Sequence, residues 1–153
     1  MSKIIDIYSK SEGAAGELSN FTAHKFIFDG VECASMEGFL QSLKYVCPKK
    51  QEKICLLTGK AAKDAGAKKR LWKLTRTVHW RGKHYGRLSP EYRALIFRAY
   101  REMYAQNEAF RKALDKTRGA KLRHSIGGQN PKKTILTERE FICMLYRTGR
   151  SGR

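Results

Sequence analysis

One stretch decides the fold of this chain: residues 35–44 read SMEGFLQSLK. Its apolar residues recur at three- and four-residue steps, which is the spacing of one face of an α-helix. At about 100° per residue, Glu37, Gln41 and Lys44 fall within an arc of roughly 60°, clear of the apolar stripe. The stretch therefore predicts a helix over 36–46 whose polar edge is either a solvated surface or one wall of a polar pocket.

The composition is that of one folded domain. The chain has 153 residues, of which 41% are hydrophobic and 10% aromatic, enough for a core. No apolar run approaches the roughly 18 residues of a membrane span, and the N-terminus lacks the basic and apolar regions of a signal peptide. We therefore expect a soluble cytoplasmic protein that makes no membrane contact, and the sequence favours no particular oligomeric state.

Cofactor motifs are missing from the sequence. The four cysteines, at positions 33, 47, 55 and 143, form no C-x-x-C pair, and the four histidines add no closely spaced ligands. Neither G-x-x-x-x-G-K-[ST] nor G-x-G-x-x-G occurs, so the common phosphate-binding loops are absent. We expect neither a metal nor an organic cofactor.

Positive charge is concentrated in the last two-thirds of the chain. Residues 1–50 hold six basic and six acidic side chains, whereas residues 51–153 hold 26 basic and 8 acidic ones and account for the net +18. Such a surface attracts polyanions and is the usual mark of nucleic-acid contact. A merely basic surface is the alternative.

The remaining patterns predict a mostly α-helical (α+β) single domain over residues 1–148, followed by a basic flexible tail at 149–153. Asp29-Gly30 between short apolar runs predicts a small antiparallel β-hairpin near the N-terminus. Thr137 and Glu140 form a capping box that begins the last helix. Further helices are predicted over 51–57 and 60–71, from Ser89-Pro90, and from Asn107 to 114. A first strand is predicted at Ile4–Tyr8. Loops are predicted at 9–19 and 124–136, and an irregular stretch at 72–88.

Several motifs, taken in order along the chain, resemble the NADAR family of YbiA-like proteins. They are L-S-N-F (18–21), the Asp29-Gly30 hairpin, S-x-E-x-x-x-Q-x-x-K (35–44), A-K-x-x-G (62–66), a helix ending near Gln106, W-R-G-K (80–83), S-P-E-Y (89–92), H-S-I-G (124–127) and T-I-L-T-E-R-E-F (134–141). The resemblance implies a YbiA-like fold and an N-glycosidase, a hydrolase that breaks the bond between a ribose C1 and a base-like nitrogen.

The resemblance also assigns catalytic positions. A carboxylate on the S-x-E helix and an aromatic residue at the pocket are essential in the family, and the matching residues are Glu37 and Trp80. Trp80 as a core residue is the alternative. Many members carry an Asp before a W-G pair in the C-terminal loop, but this chain has no carboxylate between Asp115 and Glu138. Either His124 replaces that acid, or the substrate or mechanism differs.

Seven further residues are candidates for substrate binding. Ser35 and Gln41 can bond ribose hydroxyls or a base edge, and Lys44 and Lys63 can hold phosphate. Ser19 and Asn20, which precede the hairpin, either form hydrogen bonds to the substrate or only close a turn. The full set of substrate-binding candidates is Ser19, Asn20, Phe21, Ser35, Gln41, Lys44 and Lys63.

The leading interpretation is an N-glycosidase that removes ADP-ribose from guanine in nucleic acid, with DNA favoured over RNA, in repair or as an antitoxin. The positive charge supports a nucleic-acid substrate. The alternatives are an N-glycosidase acting on phosphorylated riboflavin-pathway intermediates, which are ribosyl-phosphate metabolites, and a non-catalytic basic nucleic-acid-binding protein.

Overall fold

The computed structural model describes residues 3–151 and places eight helices and six short strands in them. In chain order these are β1 (Ile4–Asp6), α1 (Ala14–Glu17), β2 (Phe26–Phe28), β3 (Val31–Cys33), α2 (Met36–Ser42), α3 (Pro48–Cys55), α4 (Gly59–Ala67), α5 (Leu71–Thr75), β4 (Thr77–Trp80), β5 (Lys83–Gly86), α6 (Pro90–Gln106), α7 (Glu108–Lys116), β6 (Lys121–Arg123) and α8 (Glu138–Ser151). The mostly helical class and the early hairpin are confirmed. None of the helices within these residues is long and apolar enough to cross a membrane.

The strands of the described region form three separate two-stranded sheets. Two are antiparallel hairpins, β2–β3 and β4–β5, and Asp29 and Gly30 both take positive φ in the first turn, as such turns require. The third is a parallel pair in which Ile5 of β1 lies opposite Leu122 of β6. This pair joins segments far apart in the sequence.

Helix α2 lies in the middle of the domain, and all of its residues are buried. It packs against α3 and α4, while α6 packs against α8 and β2. Gly38 permits this arrangement, because a Cβ there would lie 2.6 Å from the carbonyl oxygen of Leu57 and 2.9 Å from that of Cys55. Close backbone approach therefore requires glycine at this position.

Side-chain caps begin helices α2 and α8. Ser35 Oγ accepts a hydrogen bond from Gly38 N at 3.0 Å and begins α2. The capping box is formed in full, since Thr137 Oγ1 accepts from Glu140 N at 3.1 Å and Glu140 Oε1 accepts from Thr137 N at 2.8 Å. Local capping chemistry thus sets where these helices start.

Several boundaries differ from the sequence prediction. Helix α2 ends at Ser42 rather than at 46, and α3 begins at Pro48, which suits the first turn of a helix. The stretch 72–88, expected to be irregular, contains most of α5 and the β4–β5 hairpin, and the 9–19 loop contains α1. Residues 149–151 are the end of α8 rather than a flexible tail, and residues 152–153 of the predicted tail lie outside the described region.

Candidate active site

A cavity of about 230 Å³ lies beside α2. Its walls are the polar edge of α2, the 18–21 turn, Lys63 of α4, and the loop between β6 and α8. Seven of the ten predicted site residues line it: Ser19, Asn20, Phe21, Glu37, Gln41, Lys63 and His124. The remaining lining residues are Ser9, Leu40, Ile126, Gly127, Gly128, Thr134, Ile135, Leu136 and Phe141.

Glu37 supplies the carboxylate of this cavity. Its side chain is only 9% exposed, and its Oε2 accepts a 2.6 Å hydrogen bond from Gln41 Nε2. Within residues 3–151 no donor bonds Oε1, which leaves that oxygen for a ligand. Burial raises the pKa of Glu37, although the Gln41 bond and the nearby Lys44, Lys63 and His124 oppose the rise.

Gly66 explains the A-K-x-x-G motif. A Cβ at this position would lie 1.7 Å from Gln41 Oε1 and 2.5 Å from Gln41 Cδ. Only glycine leaves room for the Gln41 amide in the orientation that reaches Glu37. The glycine of the motif therefore acts on the site indirectly, by leaving space for Gln41. Within the described chain, Gln41 Oε1 is buried without a hydrogen-bond partner.

The 18–21 turn is bound to both α2 and α6. Asn20 O accepts from Glu37 N at 3.0 Å, and Asn20 Oδ1 accepts from the Tyr100 hydroxyl at 2.7 Å. With Oδ1 occupied, the Asn20 side chain still has its two Nδ2 hydrogens to donate, and Asn20 lines the cavity. Sequence reasoning missed Tyr100, since its place in the apolar stripe of α6 indicates only a core residue.

His124 enters the cavity from the loop after β6. Its Nδ1 lies 2.9 Å from the carbonyl oxygen of Ile7, and because a carbonyl only accepts, Nδ1 carries the proton and Nε2 is the free ring nitrogen. The backbone N of His124 donates to Glu138 Oε2 at 2.9 Å. Gly127 makes room for the ring, because a Cβ there would lie 2.5 Å from His124 Cδ2.

A buried arginine holds the far end of the same loop. Arg87 is 2% exposed, and its guanidinium donates to both carboxylate oxygens of Glu140 at 2.7 and 3.0 Å and to Thr134 O at 3.0 and 3.1 Å. The Tyr92 hydroxyl donates to Ile135 O at 2.5 Å. These bonds fix residues 134–136, which line the cavity, and sequence reasoning identified neither Arg87 nor Tyr92 as site-supporting.

Two lysines place positive charge near Glu37. Lys63 lines the cavity, whereas Lys44 lies outside its lining with its ammonium 5.5 Å from the centre of the Trp72 ring. Burial lowers the pKa of Lys44 to about 8, with Glu37 opposing the shift and Lys73 and Lys63 adding to it. A partly buried cation among other cations is a place where an anion is stabilised.

Trp80 and Ser35 have structural positions instead of places in the cavity. Trp80 is buried against Phe28 and Phe39, at ring-centre distances of 5.7 and 5.0 Å, and its Nε1 donates to Asp29 Oδ2 at 2.8 Å. Ser35 is the α2 cap and donates to Leu57 O at 2.9 Å. Neither the Trp80 nor the Ser35 side chain lines this cavity, and the position of Trp80 fits the alternative of a core residue.

Comparisons with known proteins identify the family and the fold of this chain. A family model described as Bacteriophage protein GP30.3 matches residues 13–149. The chain belongs to this family. A relative of the GP30.3-family chain, the 17.1 kDa protein in the Gp30-rIII intergenic region of Enterobacteria phage T4, is 38% identical over 142 residues, covering 92% of this chain and 93% of the relative.

The fold of this GP30.3-family protein is similar to that of the E. coli protein YbiA. The NMR structure of YbiA superposes with a TM-score of 0.65 at 20% sequence identity, covering 99% of this chain and 86% of YbiA. The YbiA-like fold predicted from the motifs is confirmed.

Proposed function

We propose that this protein is an N-glycosidase that removes ADP-ribose from guanine in nucleic acid, with DNA as the favoured carrier. The observation that carries the proposal is Glu37, a buried carboxylate with one oxygen free in a cavity that also contains Asn20, Gln41, Lys63 and His124. Breaking a ribosyl C–N bond builds positive charge on the sugar, and a preorganised carboxylate stabilises that charge.

The proposed hydrolysis breaks one bond, forms another and transfers a proton. The bond from ribose C1 to the guanine nitrogen breaks, and its electron pair stays on the nitrogen. A water oxygen bonds to C1, and the proton that this water loses goes to Glu37. Burial raises the pKa of Glu37, and a shift in this direction suits a general base that works near neutral pH.

The leaving nitrogen needs a proton, and His124 is the group that can supply it. Its Nδ1 is held by Ile7 O, so the imidazolium form presents an Nε2–H toward the cavity. The proton gained by Glu37 then returns to His124 through solvent, which restores both groups. Among lining residues Glu37 is the single carboxylate, so this assignment also accounts for the absence of the family's C-terminal Asp.

Lys63 and Lys44 suit the diphosphate of ADP-ribose. Lys63 lines the cavity, and Lys44 is a partly buried ammonium close enough for its charge to act on Glu37. A bound phosphate neutralises these cations, and Asn20 Nδ2 remains available for a ribose hydroxyl or a base edge.

The size of the cavity is compatible with a substrate that is only partly enclosed. At about 230 Å³ it is smaller than the roughly 300–1,000 Å³ that encloses a whole small-molecule ligand, so it accepts only the scissile unit. The rest of the substrate then lies on the protein surface. Lys10, Lys132 and Lys133 are exposed there, and each is within two residues in the sequence of a residue that lines the cavity. This arrangement suits phosphate contacts along a nucleic-acid backbone.

The test is release of free ADP-ribose from an oligonucleotide that carries one ADP-ribosyl guanine. The parent protein should release it, and Glu37→Gln, which keeps the shape of the side chain, should be slower by about 10²–10³ in kcat. Glu32→Gln, an exposed carboxylate on β3 away from the cavity, is the matched control and should retain parent activity. DNA and RNA versions of the oligonucleotide compare the two carriers.

Other outcomes would replace the proposal. Failure to release ADP-ribose, with turnover of a riboflavin-pathway ribosyl phosphate that the Glu37→Gln variant loses, identifies a metabolite N-glycosidase. Failure on both substrates, with tight and salt-dependent binding to unmodified DNA, identifies a nucleic-acid-binding protein without this activity.

A further inference from the structure

Ile126 differs from the other apolar side chains of the cavity. Leu40, Ile135 and Phe141 are buried, whereas Ile126 lines the cavity with 66% of its surface exposed. A single exposed apolar residue needs no explanation by itself. The position of Ile126 is the informative feature, since it projects from the rim of the candidate active site.

The backbone on both sides of Ile126 is held in place. Ser125 N donates to Asp6 Oδ1 at 2.9 Å, and Ser125 Oγ bonds Asp6 Oδ2. Gly127 N donates to His124 O at 2.9 Å, which closes a tight turn around Ile126. The side chain is therefore presented to solvent by a fixed segment, so little ordering is needed when it meets a partner.

The depth of Glu37 sets a requirement on a duplex substrate. Because Glu37 is only 9% exposed, the scissile bond must enter the cavity to reach it, and an unstacked guanine enters more readily than one held within a duplex. Enzymes that act on bases in duplexes extrude the nucleotide, and apolar side chains inserted into the base stack assist such unstacking. Ile126 has the chemistry and the location for this task.

We propose that Ile126 is a wedge that enters the base stack where the ADP-ribosylated guanine leaves it, which rests on the proposed function. Arg123, Lys132 and Lys133 are exposed on the same β6–α8 segment and are suited to the flanking phosphates. The wedge extends the site from hydrolysis of the bond to recognition of duplex DNA.

The first experiment compares one modified oligonucleotide as a single strand and as a duplex. Ile126→Ala should slow release of ADP-ribose from the duplex about ten-fold or more beyond any effect that it has on the single strand, because only the duplex requires unstacking. Ile4→Ala is the matched control, since Ile4 is 64% exposed on β1 and does not line the cavity. Equal losses on both substrates would show that Ile126 contacts the scissile unit and would overturn the wedge.

A second measurement needs no turnover. The parent should bind a duplex with one abasic position several-fold more tightly than the intact duplex, because the vacated space accepts the wedge, and Ile126→Ala should lose this preference. Equal affinities of the parent for both duplexes would overturn the wedge even if the glycosidase activity is found. The two proposals can also fail separately. If the parent prefers the abasic duplex, Ile126→Ala loses this preference, and ADP-ribose is released from neither the single strand nor the duplex, the wedge is retained and the proposed reaction is refuted.

Discussion

Replacing Gly66 by alanine tests how the helix behind the cavity supports its carboxylate. In an unhindered helix, Gly→Ala stabilises by up to about 1 kcal/mol. Here the new Cβ would lie 1.7 Å from Gln41 Oε1, 2.5 Å from Cδ and 3.0 Å from Cβ. The Gln41 side chain must therefore move, and its 2.6 Å bond to Glu37 is lost.

The magnitude follows from these opposing effects. A hydrogen bond to a charged group contributes about 1.5–3 kcal/mol, and overpacking costs about 1–3 kcal/mol. Allowing for partial relaxation and the helix gain, we expect Gly66→Ala to lower the free energy of unfolding by about 2 kcal/mol. For a domain of this size, that corresponds to a melting temperature about 4–8 °C lower.

Thermal melting and ADP-ribose release, measured on the same preparations, provide the assay. Gly149→Ala is the control, because its Cβ would meet Leu114 Cγ at 3.8 Å, an ordinary contact, so the variant should be as stable as the parent or more so. Gly66→Ala should also lose activity at temperatures where it is fully folded. A Gly66→Ala protein that is as stable and active as the parent would refute the account of Gln41 and Glu37.

Three further predictions concern charge and burial. Burial raises the pKa of Glu37 above its ordinary 4.5, so the fold loses stability as the pH rises above that value. Glu37→Gln should therefore have a higher melting temperature than the parent at pH 7, and the difference should disappear below pH 4.5. Arg87→Met removes the buried cation from the partly exposed Glu140 and should cost about 3–5 kcal/mol in urea unfolding; a loss below 1 kcal/mol would contradict the pairing. Trp80→Phe removes the bond to Asp29 and should cost about 1–3 kcal/mol in stability while kcat changes less than about two-fold; a large loss of kcat in folded protein would restore Trp80 to the site.

The sequence predicts the parts of this fold that local chemistry determines. The Asp29-Gly30 turn, the helix start at Ser89-Pro90 and the Thr137–Glu140 box are each specified within a few residues, and the structure contains all of them. The polar edge of α2, through Glu37 and Gln41, lies at a cavity, which is one of the two alternatives that the spacing left open.

The parts that were missed depend on distant partners. Strand β6 is three residues long and exists because it pairs with β1, which no local pattern signals. Trp80 was assigned from a motif alone, and its burial against Phe28 and Phe39 depends on the tertiary packing of two hairpins. Arg87 looks like one more basic residue of a +18 chain until its carboxylate partner, Glu140, is brought to it by the fold.

The β1–β6 pair has a consequence for how the protein is made. The hydrogen bond from His124 to Ile7 O joins residues 117 positions apart. In a chain emerging from the ribosome, Glu37 is therefore synthesised long before His124, the proposed acid. The hairpin β2–β3 and helix α2 can form early, but the cavity closes only after β6 and α8 have been synthesised. A nascent chain halted before residue 121 would therefore carry the carboxylate without an assembled site, and catalytic competence would arrive in a single late step.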